Sequence, residues 1–455
     1  MAEKRISTMS LLELTGWGLL RALLVASVAL AVGWRMGAQL ATWRGRTRVI
    51  GWCLLLAPLC TPALLVSYGY AQGALAFAPP VFKEAAYALV LTLRLAPIAA
   101  LARYFFPPRI SREASFCYAL AATAASRRQR LLFGARAAGP APLITAGALF
   151  LLAFAEFELA SLWAVKTWTV SLFDAHAGGL RLGESLQLVS IPLACQLVLL
   201  ACLAVAARNG VGGEPLRLAP STAHPAGALL LWWLPMAAVT SLFPLAHTAA
   251  HAVRGLPNLL GHGVFWEDFA VSVSFAAAAA MIAWFGVGQW GRWRFAAAVP
   301  GLLGALVVAL LVLALFQQAP FRAVYDTPLP LLLALVLLLL PLAMLLRRLL
   351  ATRRPGEALH LARLLRHRAL LWELEAQRRA GAVVALFMWA YFDFTASSLL
   401  APVGLTPVFV RLHNLAHYGQ NAVLSAMLLT AVAIPAAVAA LTLGASRLYP
   451  RSDAR

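Results

Sequence analysis

Pro97-Ile-Ala-Ala-Leu-Ala-Arg103 closes one long apolar run, and Pro341-Leu-Ala-Met-Leu-Leu-Arg347 closes another at an offset of 244 residues. Each is followed by an arginine-rich stretch that leads into a new apolar run. The first stretch collects Arg109, Arg112, Arg127, Arg128, Arg130 and Arg136 before the run at Ala141. The second collects Arg348, Arg353, Arg354, Arg363, Arg366, Arg368, Arg378 and Arg379 before the run at Ala380. Further matches keep the same order. Gly45-Arg-Thr-Arg48 pairs with Gly291-Arg-Trp-Arg294 at 246, and Ala146-Gly-Ala148 with Ala380-Gly-Ala382 at 234. Phe157-Glu158 pairs with Phe392-Asp393 at 235, and Val170, Leu172, Asp174 and Gly179 with Val410, Leu412, Asn414 and Gly419 at 240. Single identities are cheap in apolar sequence, but their shared order marks an internal duplication.

The duplicated unit is a membrane unit. Of 455 residues, 62% are hydrophobic and 12% charged, with a mean hydropathy of +0.80. Apolar runs of about 20 residues, the length that crosses a bilayer core, recur along the chain. About eleven are expected, near 14–34, 49–70, 85–105, 141–165, 187–207, 226–246, 268–288, 296–317, 328–348, 380–400 and 420–443. The expected fold is therefore an all-α polytopic membrane protein of two tandem five-helix units joined by one connecting helix. Residues 1–215 would form the first unit, and 216–455 the connecting helix and the second. An odd number of helices per unit needs such a connector if both units are to share one orientation. The first run is too long for a cleavable leader and lacks a small-residue cleavage site.

The net charge of +20 would fit a nucleic-acid partner if it formed one patch, but its distribution reads as topology. With the loop after the first span inside, the inner segments hold Arg35, Arg44, Arg46, Arg48, both arginine stretches, Arg208, Arg217, Arg292, Arg294 and the tail arginines. The outer loops hold scattered bases only: Lys83, Lys166, Arg181, Arg254, Arg322 and Arg411. This is the positive-inside bias of a membrane chain, with Lys4 and Arg5 as its exception. The implied surroundings are lipid, not nucleic acid. Five cysteines form no CxxC motif and read as inert residues of apolar spans. No GxxxxGK[ST] loop is present, so an energy-driven function would draw its nucleotide from another chain.

Charged groups within spans mark pathways or interhelical pairs. Glu156, Glu158 and Asp393 are the candidate pathway carboxylates, with Arg21 and Arg94 as in-span cations that would pair with them. Parallel tandem units are an organisation that transporters use, which makes transport the expected class. Histidine supplies a second candidate: His247 and His251, and His413 and His417, are each four apart, a helix-face spacing suited to a metal ligand pair. With His176 and His262 they fall on the expected outer side, so a metal site or a metal-dependent membrane enzyme is a further possibility.

The chain also resembles a known family. The residues are Leu19-Leu-Arg-Ala-Leu-Leu24, the Pro58 to Tyr70 helix, and Ala146-Gly-Ala-Leu-Phe150 leading to Glu156-Phe-Glu158 in the first half. In the second they are Val299-Pro-Gly301, Tyr325 to Arg348, Ser397 to Gly404 and Arg411-Leu-His-Asn-Leu-Ala416. Together they are similar to the fused two-unit permeases of binding-protein-dependent ABC importers, most like the ferric-iron type. The resemblance implies a multi-pass protein of the bacterial inner membrane with no cofactor of its own. It implies a periplasmic substrate-binding protein and an ATP-binding subunit, in two copies, as partners. It also implies that the loops at about 106–138 and 350–379 form coupling helices. The motif positions fall on Tyr118, Ala119, Ala124, Ser126 and Arg127 in the first, and on Glu357, Ala358 and Arg363 in the second. The second loop lacks the family's glycine, and Ala124 stands where the first should have one. That departure keeps an alternative open: a permease-fold membrane scaffold no longer coupled to an ATPase.

Overall fold

The computed structural model describes residues 8–71, 78–106, 139–208, 229–289, 294–352, 356–365, 377–418 and 421–448, with 116–117, 120, 126, 128–129 and 371 between them. Among the described residues the chain is helical and has no strand. Among the described residues, seven helices are long and apolar enough to cross a bilayer, or nine spans if each of two bent helix pairs counts as one. The protein is thus an all-α, multi-pass membrane protein, built from an element that satisfies its own backbone hydrogen bonds in lipid. Two compact units are present: Met1–Thr61 with Gly73–Phe243, and Pro62–Gln72 with Pro244–Arg455.

The first unit contains α1 (Thr8–Thr42), α2 (Gly45–Cys60), α4 (Pro80–Phe105), α5 (Ala141–Phe154), α6 (Glu158–Leu162), α7 (Trp168–Ala177) and α8 (Leu182–Arg208). Helix α1 packs along α4 and against α5. Gly33 and Gly37 allow this approach. A Cβ at Gly33 would meet the Ala96 carbonyl, and one at Gly37 the Ala100 carbonyl. Small residues four apart let two backbones pack closely where lipid offers no hydrophobic drive. The core beside this seam joins Met36, Leu40 and Trp43 to Leu55, Ala96, Ala100 and Tyr104. Helix α8 is the opposite case, with Leu197, Val198 and Val205 exposed as a lipid-facing surface requires.

The second unit contains α3 (Ala63–Ala71), α9 (Phe243–Gly261), α10 (Gly263–Gln289), α11 (Arg294–Ala298), α12 (Ala305–Phe316), α13 (Leu329–Thr352), α14 (Gly356–Leu364), α15 (Gln377–Tyr391), α16 (Thr395–Leu400), α17 (Val408–His417) and α18 (Asn421–Leu448). Helix α3 belongs here through Tyr68, whose hydroxyl lies 2.8 Å from Ser425 Oγ and donates to the Asn421 carbonyl at 3.2 Å. Helices α10, α13 and α15 pack on one another, and α18 packs on α15.

The order of elements in residues 8–208 recurs in residues 263–448. Helix α1 corresponds to α10, the bent pair α2–α3 to α11–α12, and α4 to α13. The pair α5–α6 corresponds to α15–α16, α7 to α17 and α8 to α18. The α11–α12 pair turns by 118°. The first break holds Thr61, whose Oγ1 donates to the Ala57 carbonyl at 2.8 Å and lies 2.9 Å from Ser241 Oγ. The second turns at Gly304, with φ +92°, a conformation that suits glycine. Even a detail repeats: Arg103 lies over Trp34 at 5.5 Å, and Arg347 over Trp284 at 4.7 Å.

Two expected spans take other forms. The stretch at 226–246 is described from Leu229 and consists of π-helical and short α-helical turns as far as Leu242, followed by α9. Thr240 Oγ1 donates to the Met236 carbonyl there, and Pro244 supplies no N–H, two features that widen a helix locally. The stretch at 380–400 is broken between Tyr391 and Thr395. The boundary between units falls at Phe243, later than the division expected at 215. The reason is that Trp233 packs on Trp43 at 4.8 Å and donates from Nε1 to Gln39 Oε1 at 3.1 Å, which ties the connecting stretch to the first unit.

Candidate functional site at the helix breaks

In the first unit the helix that begins at Ala141 stops at Phe154 and restarts at Glu158. No glycine or proline lies in this break; polar groups hold it open. The Glu156 carboxylate accepts from the Leu159 N–H at 2.6 Å and the Ala160 N–H at 3.2 Å, so it caps the new helix as acidic groups do at N-termini. The carbonyls left free by the break are met from α7. Trp168 Nε1 donates to the Phe154 carbonyl at 2.8 Å, and Thr169 Oγ1 to that of Glu156 at 2.7 Å.

A polar network extends from this cap. Tyr87 on α4 donates its hydroxyl to Glu156 Oε2 at 2.7 Å. Arg21 on α1 stands over the Tyr87 ring at 5.0 Å and pairs with Glu84 at 2.6 Å, and Trp17 Nε1 donates to the same carboxylate at 3.2 Å. Arg94, one turn and more beyond Tyr87, interacts electrostatically with Glu158 and Glu156, while its Nη1 is buried without a hydrogen-bond partner. The structure thus brings Glu156, Glu158 and Arg94 together. Arg21 goes to Glu84 instead.

The second unit repeats the break. Asp393 Oδ2 accepts from the Ser397 N–H at 3.0 Å and lies 3.4 Å from Ser397 Oγ. Phe394 occupies the cap position before α16, as Phe157 does before α6. The structural counterpart of Asp393 is therefore Glu156, not Glu158 as the Phe157-Glu158 and Phe392-Asp393 match had paired them. The helix ends, not the local identities, define the register. Beside Asp393 lies a small cavity, with about 10 Å³ open to the centre of a water molecule, walled by Ser272 of α10, Tyr391, Asp393 and Ser397 among others. Tyr391 is 2% exposed and its hydroxyl has no hydrogen-bond partner among the described residues. Ser272 Oγ accepts from the Val408 N–H at 2.7 Å, which anchors the start of α17.

The two histidine pairs lie on α9 and α17. His247 and His251 do share one face of α9, with ring centroids 4.6 Å apart, and His251 Nδ1 is 2.8 Å from the His247 carbonyl. Burial, then the charge of His251, holds His247 below the ordinary imidazole value. His413 packs on Phe394 at 4.3 Å, and His417 lies at the end of α17. His176 Nδ1 is 3.0 Å from Ser185 Oγ. No group of three or more His, Cys, Asp or Glu gathers at metal distance among the described residues. Of the expected coupling positions, Tyr118, Ala119, Ala124 and Arg127 lie outside the described residues. Ser126 exchanges hydrogen bonds with Gln129, at 2.9 Å and 3.3 Å. Glu357, Ala358 and Arg363 all fall within α14, a short helix in the second arginine-rich stretch.

Three participants were not apparent from sequence. Glu84 follows Lys83 at the start of α4 and reads as part of a solvated loop. Tyr87 and Tyr391 carry no motif, since a tyrosine among apolar residues is most often packing. A signal did exist for the caps: an acidic residue three or four positions before the amides it meets, in an otherwise apolar run. Compared with family models, curated proteins and solved structures, the chain matches none.

Proposed function

We propose that the chain is the membrane-embedded permease subunit of an ATP-driven importer of the bacterial inner membrane. It takes a small ion or solute of the ferric-iron kind from a periplasmic binding protein. The observation that carries this reading is the repeated succession of helices, each copy interrupted at a carboxylate within an otherwise apolar stretch. A charged group held in a membrane segment is costly and is retained for a pathway or a proton or ion relay. Helix α14 supports the second half of the reading, because it lies where the resemblance puts a coupling helix for the ATP-binding subunit.

One observation favours a second reading, a permease-fold scaffold without transport. Glu156 is fully engaged by Tyr87 and two backbone amides, which is also how a purely structural cap is built. The two readings separate in one experiment. The chain is purified from native membranes in gentle detergent, its companions are identified by mass spectrometry, and ATP hydrolysis by the assembly is measured. An ATP-binding subunit at two copies per chain, with hydrolysis that falls when residues 356–364 are replaced by a Gly-Ser linker, supports the importer. A folded chain that brings down no ATP-binding subunit establishes the scaffold.

A further inference from the structure

We infer that the second unit holds a site for one small monovalent cation, of sodium size, in the cavity at the Asp393 helix break. The inference stands independently of the importer reading.

The first argument is the donor set. The cavity is lined mostly by apolar residues, and among its lining residues Asp393, Ser272, Ser397 and Tyr391 carry oxygen atoms, hard donors of the kind that hold hard cations. Three of these are nearly removed from solvent, with Tyr391 2%, Ser397 4% and Ser272 5% exposed. Tyr391 has no partner for its oxygen among the described residues. A buried hydroxyl left unpaired is costly, and a cation would engage its lone pair.

The second argument is charge, and it comes from comparing the two breaks. In the first unit Arg94 stands with Glu156 and Glu158, and Tyr87 donates to Glu156. The equivalent position to Arg94 by the 244-residue offset is Leu338. Asp393 accepts from amide and hydroxyl groups at the start of α16, and no basic side chain faces it among the described residues. The protein supplies a cation to one break and leaves the other to be filled. A single carboxylate balances a single positive charge, whereas calcium sites gather six to eight oxygens and magnesium keeps several waters. A space of about 10 Å³ admits one bare ion and excludes a hydrated one.

The test uses the full chain in lipid nanodiscs. Equilibrium binding of radioactive sodium is measured alongside the thermal unfolding midpoint in sodium, potassium and choline chloride at one ionic strength. The expected result is saturable binding of one sodium per chain and a midpoint higher in sodium than in choline, because a ligand that binds only the folded state stabilises it. Asp393→Asn should abolish both. Tyr391→Phe, which deletes one oxygen and keeps the ring, should weaken sodium binding by about tenfold or more without unfolding the chain. Equal sodium binding by wild type and both variants would overturn the assignment. So would a folded wild type that binds no saturable sodium, the result expected if Asp393 is simply protonated or the cavity takes water.

Discussion

The guanidinium of Arg347 lies 4.7 Å over the ring of Trp284 and donates through Nη2 to that residue's own carbonyl. Arg103 stands over Trp34 in the same way in the first unit. These arginines end the two Pro-x-Ala-x-Leu-x-Arg stretches, so the motif encodes a fastening between the third and first spans of each unit. A planar guanidinium both stacks and donates, which an ammonium cannot do. Arg347→Lys should therefore lower stability by about 1–2 kcal/mol, close to the effect of Arg347→Met. A double-mutant cycle with Trp284→Leu measures the coupling, and a coupling near zero would show the contact to be incidental.

The seam between α1 and α4 tolerates no added carbon. Gly37→Ala should cost at least about 1–3 kcal/mol, the usual price of overpacking, because its Cβ would run into the Ala100 carbonyl. Gly16→Ala, on the same helix with nothing within 4 Å, should be neutral or slightly stabilising through helix propensity. Thermal midpoints of the two variants in one detergent make the comparison.

Arg21 and Glu84 form an ion pair at 2.6 Å, with side chains 7% and 27% exposed. Removing one partner strands the other charge near the Tyr87 ring, so Glu84→Gln should destabilise by about 3 kcal/mol. The double variant Arg21→Met/Glu84→Leu should recover much of that loss. If the single and double variants behave alike, the pair is solvated and the burial argument fails.

His247 carries a pH prediction. Its folded value is held below the ordinary imidazole value by burial and by His251, so the unfolded chain binds the proton more tightly. Stability then rises with pH across the interval below about 6.5 and is lost on acidification as His247 takes its proton. Unfolding midpoints should fall as pH drops from about 7 to about 5. They should fall less steeply in His247→Asn. An identical acid limb in the variant would assign the effect to other groups.

At the broken helix of the first unit, Glu156→Gln keeps one acceptor for the amides and loses the charge. It should cost about 0.5–2 kcal/mol, the range for a helix cap. If Glu156 serves the pathway of the proposed importer, transport in reconstituted vesicles should fall far more than that change in stability explains. A loss of transport that merely follows the loss of folded protein would make Glu156 a cap and nothing more.

Much of the architecture was legible because the bilayer writes it into composition. A run such as Leu329 to Thr352 must be apolar over its whole length to lie in lipid, and the arginines after Arg103 and Arg347 must stay on one side. The duplication was legible for the same reason, since both copies meet the same constraints in the same order. The acidic break at Asp393 was visible as a charge in an apolar run, but its role as a cap depended on where α16 begins.

The sequence by itself determined an all-α, multi-pass chain, because hydropathy acts one residue at a time. Tertiary structure alone decided which groups meet. Arg21 found Glu84, Glu156 and not Glu158 became the counterpart of Asp393, and Pro62–Gln72 joined the second unit. It also placed an unpaired Tyr391 hydroxyl beside Asp393. Partner choice depends on angles and distances between helices far apart in sequence, and those are properties of the packed chain.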